Sequence, residues 1–162
     1  MARSDQVLVF RNAPLSVAAS IMREAASWLD QRGESLWEHA DLADANLAKR
    51  CQAHEIFVGE FEGEPVVAAL IQDRDPDVWP DDGKALIIHK LAVRRAHAGR
   101  GFARALLDFA AHHARSLGKT SLRLDTDAGR PKLHKFYRDA GFNWVGAKTL
   151  GRFNLALFEK AL

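Results

Sequence analysis

One segment of the sequence constrains the fold more than any other, because an apolar run, a glycine turn and an amphipathic helix follow one another in it. The run from Ala85 to Val93 is mostly apolar and predicts a buried strand. Gly99 and Gly101 interrupt that pattern, and apolar residues at helical spacing predict a helix from Gly101 to Leu117. Gly118 follows, where a helix end favours glycine. This order predicts a domain that contains both helices and a sheet.

The other segments complete a mixed α/β pattern. Glu55 to Phe61 and Pro65 to Gln72 are β-like, and the short connection Glu62-Gly63-Glu64 predicts that they form an antiparallel hairpin. The remaining predicted elements are a strand at 7–10, a helix that ends at Gly33, a weaker helical stretch at about 41–51, a strand at 121–124, a helix at 131–140, and strands at 142–148 and 152–159.

Length, charge and cysteine content limit the class of protein. The 162 residues suit a single domain that covers residues 1–162. Lys and Arg total 23 and Asp and Glu total 21, and the formal net charge of +2 argues against a protein that coats nucleic acid. Cys51 is the only cysteine, so an intrachain disulfide and a cysteine-built metal site are excluded. A reducing compartment is expected.

The hydropathy pattern predicts neither secretion nor a membrane protein. The amino terminus lacks the apolar run of a signal peptide. The longest apolar run, Val66 to Ile71, is far shorter than the roughly 20 residues that a membrane-spanning helix needs. We therefore expect a cytoplasmic protein.

The glycine turn has the chemistry of a phosphate-binding loop. Gly99 and Gly101 have no Cβ to hinder close approach, and the positive end of the following helix dipole favours an anion. A Walker A sequence is absent, and a dinucleotide fingerprint is disfavoured because Arg104 stands where the third glycine is needed. An ordinary tight connection with solvated arginines is the alternative. The nearby arginines are Arg94, Arg95, Arg100 and Arg104.

Two motifs in the expected order identify a family resemblance. The segment Ala98-Gly99-Arg100-Gly101-Phe102-Ala103 resembles motif A of the GNAT superfamily of acyl-CoA-dependent N-acyltransferases, with Ala98 in place of the usual Arg or Gln. The segment LDTDAGRPKLHKFYRDAGF at 124–142 resembles motif B of the same family, with Arg130 where many members have Asn. The intervening amphipathic helix has the right length, and the resemblance covers nearly the whole chain.

The resemblance implies a fold and a cosubstrate. The implied GNAT fold is mixed α/β, with a central, mostly antiparallel sheet of six to seven strands flanked by about four helices. The implied cosubstrate is acetyl-CoA, whose pantetheine arm would contact the backbone of Leu91, Ala92 and Val93. Its pyrophosphate would be held by the loop amides of Ala98, Gly99, Arg100, Gly101, Phe102 and Ala103. Arg130 and Tyr137 are the further implied cosubstrate contacts.

Three residues are the candidates for proton transfer. The resemblance places Tyr137, the only tyrosine, at the family position often assigned as general acid toward the CoA sulfur, and a phenol of pKa near 10 is protonated at neutral pH. His89 lies on the predicted strand in the register of Leu91 and Val93 and is a candidate general base, or else a core histidine. Asp125, at the end of the next predicted strand, would orient His89, accept the proton itself, or cap the following turn.

The acceptor side is less specific. The loop at 73–82 holds five Asp and one Arg together with Trp79, a composition that suits a cationic amine or an ordinary solvated loop. From this loop we take Asp73 and Trp79 as candidate substrate contacts, and Trp37 as a second candidate wall or a packing residue. The seven histidines show no ligand spacing, and we expect no metal. Cys51 is expected to be a buried helical cysteine rather than a nucleophile.

These observations favour an acyltransferase that moves an acetyl group from acetyl-CoA directly to a primary amine, without an acyl-enzyme. The acceptor is a small-molecule amine or a protein amino group. Two alternatives stay open: a non-catalytic acyl-CoA-binding regulatory module, and a nicotinamide-dependent oxidoreductase built on the glycine turn. Exposed apolar groups on the last strands would suit a homodimer, although the sequence does not distinguish them from core residues.

Overall fold

The computed structural model describes residues 8–162, so Val7 and the other amino-terminal residues used above lie outside the described part. The strands are β1 (Val9–Asn12), β2 (Ile56–Phe61), β3 (Glu64–Gln72), β4 (Ala85–Val93), β5 (Ser121–Asp127), β6 (Asn143–Leu150) and β7 (Phe153–Ala161). The α-helices are α1 (Leu15–Gln31), α2 (Asp44–Ala48), α3 (Phe102–Ser116) and α4 (Pro131–Asp139).

The strands form a seven-stranded sheet in the order β1-β2-β3-β4-β5-β7-β6. β2 pairs antiparallel with both β1 and β3, and β7 pairs antiparallel with both β5 and β6. β4 pairs with β5 in parallel, through Ala85–Ile87 and Ser121–Arg123. A mixed, mostly antiparallel sheet with four α-helices confirms the predicted fold class.

The chain forms two compact units. The first, here the amino-terminal unit, contains residues 8–70 together with Lys90–Leu106. The second, the carboxy-terminal unit, contains Ile71–His89 and Leu107–Leu162. The single domain over residues 1–162 stays a prediction.

The core of the amino-terminal unit forms because the apolar face of α1 packs on strand residues. Ile21 and Met22 of α1 are fully buried together with Val58 of β2. Trp37 packs against this cluster from its edge, and the Nζ atom of Lys90 lies 5.4 Å from the Trp37 ring centroid. Trp37 therefore has the packing role that the sequence analysis left open.

The core of the carboxy-terminal unit involves the loop that precedes β4. Val78 and Trp79 are buried there and pack with Ile87 of β4. Leu155 and Leu157 of β7 complete the cluster. The acidic loop is thus anchored at its middle by apolar side chains, because burying a Trp outweighs the cost of ordering a short loop.

Several predicted bounds shift by one or two residues, as in β1, predicted at 7–10 and observed at Val9–Asn12, and two elements differ by more. The helix predicted at about 41–51 is only α2, preceded by a 3-10 turn at His39–Leu42, because the segment offers few apolar residues at helical spacing. β5 extends beyond its predicted end to Asp127, since its pairing with β7 continues from Ser121 to Asp127. Among residues 8–162, no helix is long and apolar enough to cross a membrane.

Candidate active site

β4 carries His89 where the regular extended backbone is interrupted. The next residue, Lys90, has a φ of +57°, the left-handed conformation that non-glycine residues rarely adopt. The four preceding residues of β4 are buried, whereas His89, Lys90 and Leu91 are all partly exposed. The predicted register, with His89, Leu91 and Val93 on one face, is therefore interrupted at Lys90. Such interruptions re-aim side chains at functional sites.

His89 is brought together with two carboxylates in the carboxy-terminal unit. Its Nε2 atom lies 3.5 Å from Oδ2 of Asp75, and the two side chains are 23% and 20% exposed. Asp125 completes the cluster, in which one ligand-type atom from each residue lies within 4.8 Å of the others. These donor types suit a divalent metal, and they equally suit the stepwise removal of protons from an ammonium group. The three residues have no ligand spacing in the sequence because they come from three separate segments.

A buried turn fixes the position of Asp75. Its backbone carbonyl accepts hydrogen bonds from the amides of Val78, at 3.1 Å, and Trp79, at 2.8 Å. Trp79 is only 6% exposed, and the guanidinium of Arg123 lies 5.3 Å from its ring centroid. The residue that the sequence analysis offered to a cationic substrate is thus a buried anchor that already carries a cation over its ring.

Arg123 fixes the far end of the same loop. Its guanidinium donates two hydrogen bonds to Asp82, at 3.1 and 2.9 Å, and one to Glu159 of β7, at 2.6 Å. The bond from Arg123 and the backbone amide of Lys84 lower the pKa of Asp82 to about 2. A planar guanidinium suits this forked arrangement. Asp75 and Asp82 are therefore both held by contacts within the carboxy-terminal unit.

Asp125 does not end its strand. It pairs with Leu157 inside the β5-β7 ladder. The turn that follows is capped by Asp127, whose Oδ1 atom accepts a 2.7 Å hydrogen bond from the Gly129 amide. Of the three roles considered for Asp125, capping is therefore wrong, because β5 is longer than predicted. A role toward His89 agrees with the observed cluster.

Tyr137 lies on α4 among aromatic rings of the carboxy-terminal unit. Its ring centroid is 5.2 Å from that of Phe136 and 6.0 Å from those of Phe142 and Phe158. Burial raises the pKa of Tyr137 to about 12, and the negative charge of Asp125 adds to the shift. The phenol therefore stays protonated well above neutral pH, and its proximity to Asp125 links it to the carboxylate cluster.

The glycine turn has the open geometry that a phosphate needs. Gly99 and Gly101 have φ values of +74° and +82°, and a Cβ built on either meets no atom within 4 Å. α3 begins at Phe102 and has no acidic residue in its first turn, so its amide end keeps its positive potential. A pyrophosphate fits this loop sterically and electrostatically. The loop conformation also requires residues that tolerate positive φ.

The arginines near the loop divide into two groups. Arg94 is held by α1, with a 3.1 Å hydrogen bond to Ser20 and an ion pair to Glu24 at 3.7 Å. The guanidinium of Arg95 stacks over Trp28, 3.5 Å from the ring centroid. Arg104 is exposed, and so is Arg100, whose guanidinium lies 3.1 Å from Nδ1 of His97 and 4.7 Å from the ring centroid of Phe61. The contacts with α1 give Arg94 a structural role. The exposed Arg100 is therefore the better substitute for the Arg or Gln side chain that the motif usually has at the position of Ala98.

The remaining predicted contacts are placed as follows. Within β4, Ala92 is buried while Leu91 and Val93 are partly exposed. Arg130 directly precedes Pro131, the first residue of α4. Asp73 is exposed in the loop after β3. Their roles in binding stay predictions.

Cys51 is partly exposed and lies after the end of α2, so the prediction of a buried helical cysteine is wrong, but the residue is still unsuited to nucleophilic chemistry. Burial raises the pKa of its thiol, and the charge of Glu55 adds to the increase. The thiol donates to the carbonyl of Leu47 at 3.3 Å. Since the thiolate is the nucleophile, a raised pKa makes Cys51 less reactive than a free cysteine. This agrees with transfer that does not pass through an acyl-cysteine.

Asp75 is the functional candidate that the sequence analysis missed. It was one of five aspartates in the loop, and its residue type does not distinguish it from Asp73 or Asp77. The available signal was its spacing from Val78 and Trp79, the only apolar pair in an otherwise polar loop. An apolar pair predicts burial, and a carboxylate next to a buried turn is better positioned than one on a free loop.

Comparison with known proteins identifies the same family throughout. Residues 18–142 match the model of the Acetyltransferase (GNAT) family. The chain is 31% identical to the uncharacterized N-acetyltransferase YesJ of Bacillus subtilis (strain 168), over 91% of this chain and 84% of that protein. The YesJ match and the family model each cover more than two thirds of this chain.

Solved structures share the fold. A GNAT-family acetyltransferase from Listeria monocytogenes superposes with a TM-score of 0.78 at 24% identity, covering 100% of this chain and 99% of that one. YncA of Salmonella typhimurium, solved with acetyl-CoA, gives a TM-score of 0.69 at 18% identity, over 96% and 94% of the chains. With sequence, structure and relatives in agreement, the chain belongs to the GNAT acetyltransferase family and is an acyltransferase enzyme.

Proposed function

We propose that this protein transfers an acetyl group from acetyl-CoA directly to a primary amine. His89 acts as the general base, Asp75 and Asp125 orient and charge-balance it, and Tyr137 donates to the leaving sulfur. The observation that carries the proposal is the convergence of Asp75, His89 and Asp125 in one partly buried cluster, with Tyr137 close enough to Asp125 for their charges to interact. Titratable groups gathered beside a tyrosine with a raised pKa are typical of catalytic sites.

The amino-terminal unit would bind the cosubstrate. The amides from Ala98 to Ala103 form an open loop at the start of α3, and pyrophosphate suits such a loop because it accepts several N–H bonds and matches the helix dipole. Arg100 adds positive charge at the exposed rim. The bound cosubstrate supplies a thioester carbonyl, and the backbone at Leu91 to Val93 would bind the arm that carries it.

The carboxylate cluster would handle the proton of the amine. At neutral pH a primary amine is an ammonium ion, which has no lone pair and cannot attack a carbonyl. Asp75 and Asp125 attract the ammonium, and the neutral imidazole of His89 accepts its proton. Asp75 then stabilises the resulting imidazolium, since the two groups are already 3.5 Å apart. A general base of this kind contributes about 10²–10⁴-fold to the rate.

Tyr137 would stabilise the departing sulfur. With a pKa of about 12 the phenol is protonated when it is needed. A free thiol has a pKa of about 8.5, so complete transfer of the phenolic proton to a thiolate is uphill by roughly 5 kcal/mol. We therefore assign to Tyr137 a hydrogen bond to the developing thiolate rather than the full delivery of a proton.

The acceptor is assigned by class only. A cationic primary amine, on a small molecule or on a protein, suits the two carboxylates of the cluster. Asp73 is exposed at the rim of the same loop and would add to the attraction. Trp37 contributes packing to the amino-terminal unit and is a weaker candidate for substrate contact. Cytoplasmic location remains a prediction.

Two alternatives compete with this function. A non-catalytic acyl-CoA-binding module would need the glycine turn but would have no use for a His-Asp pair beside a buried tyrosine. A nicotinamide-dependent enzyme would need close helix packing at the third glycine position, where Arg104 stands on α3. Neither alternative accounts for the carboxy-terminal cluster, and so acetyl transfer is preferred.

The binding step is tested by calorimetric titration with acetyl-CoA and with NADH. We expect wild-type protein to bind acetyl-CoA and not NADH. Gly101→Glu places an anion where the pyrophosphate should lie and is expected to weaken binding at least about tenfold. Gly118→Glu is the matched control, because it adds the same charge and the same backbone strain, φ +75°, at the far end of α3. Equal affinity of the two variants would overturn the loop assignment, and binding of NADH alone would overturn the function.

Catalysis is tested separately, with a panel of primary amines and detection of free CoA. His89→Gln is expected to lower kcat by about 10²-fold or more while acetyl-CoA affinity is retained. If the wild-type protein binds acetyl-CoA but no amine or protein lysine is acetylated, the regulatory module becomes the preferred function.

A further inference from the structure

The cluster in the carboxy-terminal unit has the geometry of a metal site as well as that of a proton acceptor. Asp75, His89 and Asp125 each offer one donor atom, and these atoms all lie within 4.8 Å of one another. Nε2 of His89 and Oδ2 of Asp75 are 3.5 Å apart. Two ligand atoms bound to a tetrahedral zinc ion at about 2.0–2.2 Å lie roughly 3.3–3.6 Å from each other. The observed pair therefore already has the separation of two zinc ligands.

We propose that Asp75, His89 and Asp125 bind one zinc ion reversibly, and that this ion inhibits acetyl transfer by excluding the amine. Binding of the ion rests on the three donors alone, whereas the inhibition rests on the proposed function. The ion is an inhibitor and not a catalyst, so the transfer itself would proceed without a metal. Occupation of the cluster would make the activity respond to the concentration of free zinc.

The donor set and its spacing favour zinc over other divalent ions. Magnesium and calcium take oxygen ligands, and one of the three donors here is an imidazole nitrogen. Copper(II) favours square-planar sites, in which neighbouring ligands at similar bond lengths lie only roughly 2.8–3.1 Å apart. Three protein ligands leave one tetrahedral position for water, and water can reach it because all three residues are partly exposed.

The backbones that carry two of the donors are held in place. Asp75 is fixed by the turn at Val78 and Trp79, and Asp125 pairs with Leu157 inside the β5-β7 ladder. Ligands on a fixed backbone lose little conformational entropy when an ion binds. Rotation of the side chains is then sufficient to bring the three donors to their final separations.

Charge and the imidazole lone pair explain the inhibition. The two carboxylates carry two negative charges, which a dication balances and a single ammonium group only halves. Zinc binds the nitrogen lone pair of His89, which is the lone pair that would accept the proton of the amine. A zinc-bound His89 therefore cannot act as the base, and the positive ion repels an incoming ammonium group.

Zinc binding is tested without acetyl-CoA or amine, by competition with a coloured chelator. The parent protein carries no histidine tag and has the change Cys51→Ser, which removes the only thiol. We expect one zinc ion per chain, and we expect His89→Gln and Asp75→Asn each to weaken binding at least about tenfold. His112→Gln and Asp77→Asn are the matched controls, since both residues are exposed, and should bind zinc as the parent does. Equal affinities of His89→Gln and His112→Gln, or no stoichiometric binding to the parent, would refute the site.

A second measurement needs no substitution at the cluster and covers variants that do not fold. Cobalt(II) accepts the same donors as zinc, and four-coordinate cobalt absorbs visible light far more strongly than six-coordinate cobalt. The parent protein is expected to give the strong spectrum and to lose it on addition of one equivalent of zinc. Zinc should also raise the Tm of the parent, because it binds the folded state. A weak, six-coordinate spectrum would contradict the proposed ligand set.

Amine kinetics test the inhibition. Free zinc at ten times its dissociation constant is expected to raise KM for the amine about tenfold, while kcat and the affinity for acetyl-CoA do not change. The product is measured as acetylated amine, since the thiolate of free CoA itself binds zinc. Inhibition that acetyl-CoA relieves, or no inhibition, would contradict exclusion of the amine. A protein that binds zinc but acetylates no amine would refute the proposed function and leave the metal site, whereas a protein that acetylates amines but binds no zinc would refute the site alone.

Discussion

Nε2 of His89 lies 3.5 Å from Oδ2 of Asp75, and the backbone of Asp75 is fixed by a turn that the buried side chain of Trp79 anchors. This pair joins a strand residue to a residue of an acidic loop. It gives the candidate base a fixed negative partner. The same relationship makes the role of the loop testable, because the carboxylate and its anchor can be changed separately.

Removing the charge of Asp75 should alter the pH dependence of acetyl transfer. Asp75→Asn keeps the shape of the side chain but no longer stabilises protonated His89. The acidic limb of kcat/KM is therefore expected to move to lower pH, and kcat to fall. Asp125 is still close to the imidazole in this variant, so part of the stabilisation of protonated His89 is retained. Acetyl-CoA affinity should not change.

Asp77→Asn is the control for that profile, since it removes an exposed carboxylate from the same loop. An unchanged acidic limb in Asp75→Asn would remove Asp75 from the mechanism. A loss of acetyl-CoA affinity would point instead to a disturbed fold.

Trp79 should behave as an anchor for Asp75. Trp79→Ala leaves a cavity and is expected to cost about 3–5 kcal/mol of unfolding free energy, with a fall in kcat as the loop loosens. Trp79→Phe is expected to cost only about 1–2 kcal/mol and to keep most of the activity, because the indole Nε1 atom has no hydrogen-bond partner among the described residues. Thermal unfolding and amine kinetics measure both effects. A raised KM for the amine in Trp79→Phe, with full stability, would support direct substrate contact instead.

The single tyrosine allows the pKa of Tyr137 to be measured directly. Tyrosinate absorbance near 295 nm is expected to titrate at about pH 12 in the folded protein and near pH 10 in urea. Asp125→Asn should lower the folded midpoint, because it removes the charge that opposes ionisation. A folded midpoint near 10 would show that the phenol is solvated.

The raised pKa of Tyr137 also lowers the stability of the folded state at alkaline pH. Between pH 10 and pH 12 the folded state retains a proton that the unfolded state has lost, so the free energy of unfolding falls as pH rises through this window. Below pH 10 both states are protonated and Tyr137 adds no pH dependence. Urea unfolding at pH 9 and pH 11 should show the decrease in wild type, and Tyr137→Phe should lack this part of it.

The Arg123 network predicts an acid-side effect. The folded-state pKa of Asp82 is lowered to about 2, so its stabilising contribution is present above the ordinary carboxyl range and is lost as pH falls toward 2. Asp82→Asn is expected to lower Tm at neutral pH and to flatten the pH dependence of Tm between about 4 and 2. Asp81→Asn is the control, because its ion pair with Arg74 is more than half exposed and contributes little. Equal effects of the two changes would contradict the assigned network.

Much of the fold was predictable because its signals are local. β4 was predicted with its observed bounds, from Ala85 to Val93, since a buried strand needs a continuous apolar run. The predicted start of α3, at Gly101, is one residue before the observed start at Phe102, because Gly101 is required for the turn and the apolar period begins directly afterwards. β5 was predicted too short, because its polar last residues extend the strand only through pairing with β7.

The candidate site was predictable in part. Gly99 and Gly101 identify the loop because positive φ and an unhindered amide surface require glycine. His89 and Asp125 were candidates from their places on neighbouring strands. Asp75 was not, because its position depends on where a loop packs. The left-handed Lys90 was equally hidden, since lysine carries no signal for that conformation.

The sequence by itself determined the order of the elements, the glycine loop and the family, because these depend on hydrophobic period and on the backbone conformations that particular residues allow. Only the tertiary structure decided that Asp75 meets His89, that Trp79 is an anchor, and that Asp127 rather than Asp125 caps the turn. These facts depend on strand pairing and loop packing between residues far apart in the chain. The free energy of such contacts comes from burial and charge in the folded state, and no short stretch of sequence encodes it.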